Sequence, residues 1–438
     1  MAPHHQALIV LAGFLVLITL RVPVAIALVA AGLCGTAILI GLGPALALLS
    51  RAPMELAASW ELSAVPMFLL MGTIVSKSGM ADSLFTFFRV IFARVPGGLA
   101  VATNFACAGF GAASGSSLAA TAGIGRLAVP HMRRAGYQQG LIGAVCGCGG
   151  TLAALIPPSI PFIVFALLTE QSALVLFIAG LIPGILTALV YAAMIILRCL
   201  FNPELDGRHI AQAKSDEVET LLAAFLSLWP IALVSIAVIV GLYGGFATPT
   251  EAGGLGACAA LAVAVARRSM SLQLFWEAVS ETAVTSAAIL IIAVGASVLT
   301  AYLTFAGFPV YVSEVLNVFG DETWALLLTL SITFVLLGMF LDPLGVMLLA
   351  TPIFLPTIQE HGFDLVWFAV IVVKYIEIGL ITPPVGLNLF AARGLLPPNY
   401  PFSRLIRATM WFLAAEGVVM IVLLGFPEVS LWLPNLMH

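Results

Sequence analysis

The sequence predicts an all-α polytopic membrane protein with two re-entrant hairpins and broken helices, arranged as an inverted-topology repeat. Three observations predict it. The 438 residues are 62% hydrophobic and 9% charged, with a mean hydropathy of +1.15, whereas a soluble domain carries about 25% charge to cover its outside. Several apolar stretches reach the ~20 residues that cross a ~30 Å bilayer core as a helix. The chain also matches itself under a shift of 226 residues, with basic flanks in one half where the other has acidic ones. This composition excludes a soluble enzyme, a nucleic-acid binder and a disulfide scaffold. The net charge of −4 is spread over short loops and points to no partner.

Spans are expected over 6–20, 22–49, 62–79, 138–166, 172–201, 222–245, 250–266, 283–306, 365–392 and 409–425. The run from Gln6 continues through Arg21-Val-Pro into a second span, so no cleavable signal peptide is evident. His4 and His5 read as solvated terminal residues. The stretches 82–94 and 308–320 mix Phe, Leu and Val with charged residues, the pattern of helices lying in the interface plane. The polar loop 202–221 divides the chain into a first repeat, 1–201, and a second, 222–438. Cys34, Cys107, Cys146, Cys148, Cys199 and Cys258 lie in apolar segments and read as small hydrophobes. Cys146 and Cys148 form C-x-C, but no second Cys or His pair stands nearby to complete a zinc site.

The repeat is visible residue by residue. Under the 226-residue shift Pro130 falls on Pro356, Gly136-Tyr137 on Gly362-Phe363, and Pro157-Pro158 on Pro383-Pro384. Each half then has five spans and one extra apolar stretch, 97–130 or 323–358. The first is flanked by Arg89, Arg94, Arg133 and Arg134. Basic loops stay on the cytoplasmic side, so both its ends belong inside and it reads as a re-entrant hairpin. The second is flanked by Asp321, Glu322, Glu360 and Asp364, which places its ends outside. The same element in two orientations is the architecture of many secondary transporters. Arg198, Arg208, Arg267, Arg268, Arg393, Arg404 and Arg407 then fall inside and both termini outside; Arg51 is the exception.

Irregular backbone at membrane depth persists only where it is buried in protein or lines a cavity. Four such places occur: Gly111-Ala-Ala-Ser-Gly-Ser-Ser117 and Gly338-Met-Phe-Leu-Asp-Pro-Leu-Gly345 in the hairpins, and Ile156-Pro-Pro-Ser-Ile-Pro161 and Ile381-Thr-Pro-Pro-Val-Gly386 in the spans 138–166 and 365–392. Paired breaks mark a transporter binding site. Half-helix carbonyls ligate small cations, and half-helix N-termini receive anions. Pro157, Pro158, Pro383 and Pro384 each lack an N–H and leave carbonyls of the preceding turn unpaired. Ser114, Ser116 and Ser117 supply oxygens at the first tip, and Thr382 and Asn388 at the second break. Na+ is expected at Ser114, Ser116 and Thr382. One Gly/Ser break alone reads rather as close helix packing; four in symmetric positions read as a site. Asp342 reads as the N-cap of a half-helix starting at Pro343, as an ion ligand, or as both. Lys374 and Glu377, three apart on one helix, read first as a structural buried pair, with a proton relay or a ligand pair as the alternatives. Glu251 reads as a helix N-terminal acid.

At these residues a resemblance becomes plain. Phe110-Gly-Ala-Ala-Ser-Gly-Ser-Ser-Leu-Ala-Ala-Thr-Ala, Gly150-Thr-Leu-Ala-Ala-Leu-Ile-Pro-Pro-Ser-Ile-Pro, Ala247-Thr-Pro-Thr-Glu-Ala, Leu341-Asp-Pro and Glu377-Ile-Gly-Leu-Ile-Thr-Pro-Pro-Val-Gly-Leu-Asn388 resemble the large membrane subunit of tripartite ATP-independent periplasmic (TRAP) transporters. The resemblance spans the whole chain. Gly150 and Thr151 join the candidate site through the second of these motifs; Ala153-Ala154 departs from the Gly-Ile frequent there. It implies Na+-coupled uptake of organic acids across a bacterial inner membrane, with no other cofactor. It also implies a periplasmic substrate-binding protein, a small four-helix membrane subunit on a separate chain, and an elevator motion in which the elements 62–79, 97–166, 283–306 and 323–392 include the moving domain and the remaining spans, 172–201 and 409–425 among them, form the scaffold and the small-subunit interface. The other readings are a stand-alone carboxylate carrier and a membrane-embedded enzyme. The latter lacks H-E-x-x-H, G-x-S-x-G or paired aspartates.

Overall fold

The computed structural model describes residues 3–20, 22–207, 221–317 and 323–437. Arg21, Arg208, Asp321, Glu322 and residues 208–220 of the polar loop lie outside the described residues. Among those described there are 21 α-helices and no strand. The first half comprises α1 (Pro3–Thr19), α2 (Val24–Ile40), α3 (Leu42–Ala57), α4 (Ala64–Lys77), α5 (Met80–Ile91), α6 (Gly98–Ser114), α7 (Ser117–Arg134), α8 (Gln139–Thr151), α9 (Ile160–Thr169) and α10 (Ala173–Phe201). The second comprises α11 (Leu221–Ser227), α12 (Trp229–Tyr243), α13 (Pro249–Ala266), α14 (Leu272–Phe305), α15 (Phe308–Asn317), α16 (Thr323–Gly338), α17 (Pro343–Glu360), α18 (Leu365–Leu380), α19 (Leu387–Gly394), α20 (Phe402–Gly425) and α21 (Glu428–Asn435).

The chain turns between α6 and α7 and between α16 and α17, and breaks between α8 and α9 and between α18 and α19. Four helices, α10, α13, α14 and α20, are each long and apolar enough to cross a membrane, and two bent pairs raise this to six. Some elements differ from the expectation. The run 22–49 breaks at Gly41, whose φ of 101° ends α2, and α3 then meets α4 at 63°. The run 222–245 bends by 49° between α11 and α12. Helix α14 has 34 residues and starts early, because the Ser271 hydroxyl accepts the Leu274 N–H and caps it. Helix α21 was not foreseen. His4, expected in solvent, stacks on Tyr311 with ring centroids 4.6 Å apart. All six cysteines are free.

Helices α14 and α4 pack against the hairpin helices α17 and α6 respectively. Helices α4 and α14 pack with α2, α3 and α13. A Cβ on Gly32 would lie 2.7 Å from the Leu299 backbone, and one on Gly295 2.8 Å from the Leu28 Cβ, so glycines on both helices permit the close α2–α14 crossing. Helices α10 and α20 pack with α6, α8 and α18, on the side of the hairpins. The physical reason is a buried charge network across α10, α18 and α20, described below.

Each hairpin also crosses its own broken helix through small residues. A Cβ on Gly111 would lie 2.5 Å from Ala153 Cα, and one on Gly379 2.7 Å from Gly338. Ala153 and Gly379 are 226 residues apart, as are Pro157 and Pro383. The Pro157–Pro158 and Pro383–Pro384 bonds are both cis.

Candidate functional site

The first tip turns at Gly115, which has a φ of 59° and sits so close that a Cβ would lie 2.7 Å from the Pro158 carbonyl. Only glycine adopts this geometry freely. Ser116 follows in extended conformation and caps α7, its hydroxyl accepting the Ala119 N–H at 3.4 Å. Asp342 does the same for α17, accepting from Leu344 and Gly345 at 3.2 and 3.3 Å. Asp342 is thus a helix cap, at the position matching Ser116 under the 226-residue shift. Both tips face one cavity of about 240 Å³, walled by 115–118, 342–344, the first break at Ala154 and Ile160, and by α4 and α14.

The predicted residues fall into three settings. Ser116, Ser117 and Asp342 line the cavity. Ser114 is buried just behind the tip with a hydroxyl that has no partner. Gly150 and Thr151 serve the helix crossing: a Cβ on Gly150 would lie 2.0 Å from Thr121 Oγ1, and Thr151 donates to the Cys148 carbonyl at 2.6 Å. Pro157 and Pro158 are buried beside Ser159, which caps α9 and donates to the Ala154 carbonyl. Thr382, Pro383 and Pro384 form a separate junction within the second repeat. There Thr382 donates to Ile378 O at 2.5 Å and the Gly386 N–H reaches Met339 O at 3.3 Å. Asn388 points at α8, donating to Gly147 O at 3.3 Å, with its Oδ1 unpartnered. The structure therefore brings Ser114, Ser116 and Ser117 to one junction and Thr382 to another.

Lys374 and Glu377 are not a pair. Lys374 forms a fully buried ion pair with Glu416, and its Nζ lies 3.4 Å from Thr187 Oγ1. The Tyr191 hydroxyl donates to the other Glu416 oxygen at 2.5 Å. Glu377 instead accepts a hydrogen bond from Ser117 at 2.9 Å, and its second oxygen has no partner. Three residues advance a helix by about 300°, so the two side chains diverge by about 60° and each finds a different neighbour. Sequence reading missed Glu416, although a lone acid inside an apolar span was the available signal. Glu251 is the helix N-terminal acid expected, in a reciprocal capping box with Thr248. Among the described residues there is no group of His, Cys, Asp or Glu that could hold a metal.

Comparison with known proteins decides the family. The family described as "Tripartite ATP-independent periplasmic transporter, DctM component" matches residues 11–429. This chain belongs to the DctM family. The C4-dicarboxylate TRAP transporter large permease protein of Pseudomonas aeruginosa is 35% identical over 87% of this chain and 88% of its own length. The ectoine TRAP transporter large permease protein of Halomonas elongata is 30% identical over 86% of each. The fold is shared with the YdaH transporter of Alcanivorax borkumensis, described as having an unusual topology, at a TM-score of 0.62 and 16% identity over 97% of this chain and 99% of that one. As a DctM-family protein the chain is a multi-pass transporter permease. In its family the large permease works with a substrate-binding protein and a small subunit.

Proposed function

We propose that this chain is the large permease subunit of a Na+-coupled importer of organic acids, the C4-dicarboxylates and related carboxylates, across a bacterial inner membrane. A periplasmic protein captures the acid and delivers it, and a separate small four-helix subunit completes the permease. One observation carries the reading: two hairpin tips and a broken span, from opposite halves of the chain, meet at a single cavity. Half-helix ends gathered at one place suit alternate loading of ion and substrate. Ser114 and Ser116 offer hydroxyl oxygens for Na+ at the first junction, and Thr382 at the second. The hairpins move with α8, α9, α10, α18 and α20 as an elevator against α2, α3, α4, α13 and α14, because a buried ion pair across α18 and α20 resists sliding. Inversion of the two halves would let one cavity face either side.

The test is uptake into proteoliposomes holding both permease subunits, with the loaded binding protein outside. Uptake is expected to require an inward Na+ gradient. Full uptake driven by a pH gradient in Na+-free buffer rejects the coupling. Micromolar uptake by this chain alone rejects the tripartite reading in favour of a stand-alone carrier.

A further inference from the structure

Helices α10 and α20 pack together and run antiparallel. Tyr191 of α10 reaches Glu416 of α20, whereas Arg198, further along α10, lies over the earlier Trp411 ring, 4.8 Å from its centroid. The step from Tyr191 to Arg198 lengthens a helix by about 10 Å. The same length counted back from Glu416 ends beside Thr409, so Arg198 stands level with the stretch between Arg407 and Trp411. Spacings of three, four and seven place Arg404, Arg407, Trp411, Val418 and Ile421 on one stripe of α20, and all of them are exposed. The stripe is graded along its length: arginines first, then the indole, then apolar side chains.

No acid answers these arginines. Arg198 Nη1 is buried without a hydrogen-bond partner, and among the described residues Arg198, Arg404 and Arg407 form no ion pair. Glu416 is taken by Lys374 and Tyr191. Asp206, beyond the end of α10, accepts the Gly97 N–H at 3.0 Å, and Glu204 is exposed there without an ion pair to them. Other arginines nearby are already bonded: Arg393 donates to the Pro397 and Pro398 carbonyls, and Arg133 to Gln139 and the Leu395 carbonyl. Uncompensated guanidinium groups at one seam repel one another and call for an anionic acceptor, which they bind through parallel N–H bonds. The sequence expects this end of α10 and α20 at the cytoplasmic boundary, where basic residues between helices meet anionic headgroups and Trp sits at headgroup level. A free anion would use the arginines alone. A lipid also uses Trp411, Val418 and Ile421.

We propose that the seam of α10 and α20 is a binding site for an anionic phospholipid, with its phosphate on Arg404, Arg407 and Arg198, its glycerol level with Trp411, and its acyl chains along Val418 and Ile421. The lipid clasps from outside the two helices that Tyr191 and Glu416 join inside. The site goes beyond the permease reading and stands or falls apart from it.

The experiment follows thermal unfolding of the delipidated full chain in detergent, with phosphatidylglycerol, phosphatidylcholine or soluble glycerol phosphate added. Phosphatidylglycerol is expected to raise the unfolding temperature by several degrees more than phosphatidylcholine, with the excess shrinking as salt rises. Glycerol phosphate is expected to do nothing. The Arg404→Gln/Arg407→Gln variant is expected to lose the excess and keep the phosphatidylcholine shift. The Arg267→Gln/Arg268→Gln variant, which removes the same charge at the end of α13, is expected to keep both. Equal shifts from the two lipids overturn the site. So does an equal loss in both variants, which would mean diffuse attraction to basic loops, or a glycerol phosphate shift matching that of the lipid. Should the Arg404/Arg407 variant fail to fold, tail-brominated lipids supply a second readout. Brominated phosphatidylglycerol is expected to quench tryptophan fluorescence more than brominated phosphatidylcholine, and Trp411→Phe is expected to abolish the difference. A difference that survives Trp411→Phe places the lipid elsewhere and rejects the proposal.

Discussion

Ser117 donates its hydroxyl to Glu377 across 2.9 Å, joining residues 260 positions apart in the chain. Ser117 is the first residue of α7 and lines the cavity. Glu377 is fully buried on α18. The bond ties the turn between α6 and α7, in the first half of the chain, to α18 in the second. It therefore couples the geometry of the two halves at the place where they share a cavity.

Removing that donor leaves a buried carboxylate with one partner fewer. Ser117→Ala is expected to lower stability by about 1–3 kcal/mol. In a Glu377→Gln background the same change is expected to cost less, since a neutral amide loses less with its partner. A double-mutant cycle on thermal unfolding in detergent reads the coupling. Strict additivity of the two changes would show that the contact carries no energy.

The ion pair between Lys374 and Glu416 makes a sharper prediction. Lys374→Met strands a buried carboxylate and is expected to destabilise by about 3–5 kcal/mol. Adding Glu416→Leu removes the stranded charge and is expected to recover most of the loss. Tyr191 then loses its acceptor, so recovery stays incomplete by about 1 kcal/mol. A double variant no more stable than Lys374→Met would contradict the buried-pair account.

Sodium dependence tests the two junctions separately. Ser116→Ala and Thr382→Ala are each expected to raise the Na+ concentration for half-maximal uptake, by about 1–3 kcal/mol of lost ligation. The two residues lie at different junctions, so their effects should add. Unchanged Na+ dependence in both variants would place the ion elsewhere.

Orientation is tested by labelling. In a chain lacking its six cysteines, Gln138→Cys is expected to react from the cytoplasm and Gln359→Cys from the periplasm. The first follows the α6–α7 hairpin with its arginines, and the second ends α17 beside Glu360. Reaction of both from one face would end the inverted repeat.

Much of this protein was legible in the chain because bilayer constraints are local. A hydrophobic run must be helical to satisfy its backbone. Glycine and proline mark where it cannot stay so, and the matched breaks at 156–161 and 381–386 appear as the gaps between α8 and α9 and between α18 and α19. The caps at Asp342, Ser116 and Thr248 were readable or nearly so, since a cap bonds within three residues. Gly41 was not, because a single glycine in an apolar run is tolerated by many spans.

What the sequence determined by itself is the class, the helix breaks and the family, all set by composition, period and short-range bonding. What only the tertiary structure decided is which partner each buried charge found, which residues share the cavity, and which helices pack together. Lys374 and Glu377 share a helix, yet their bonds go to Glu416 and Ser117. A side chain's partner depends on which neighbouring helix lies within reach, and small residues such as Gly32 and Gly111 set that approach over long sequence separations. No local pattern encodes those distances.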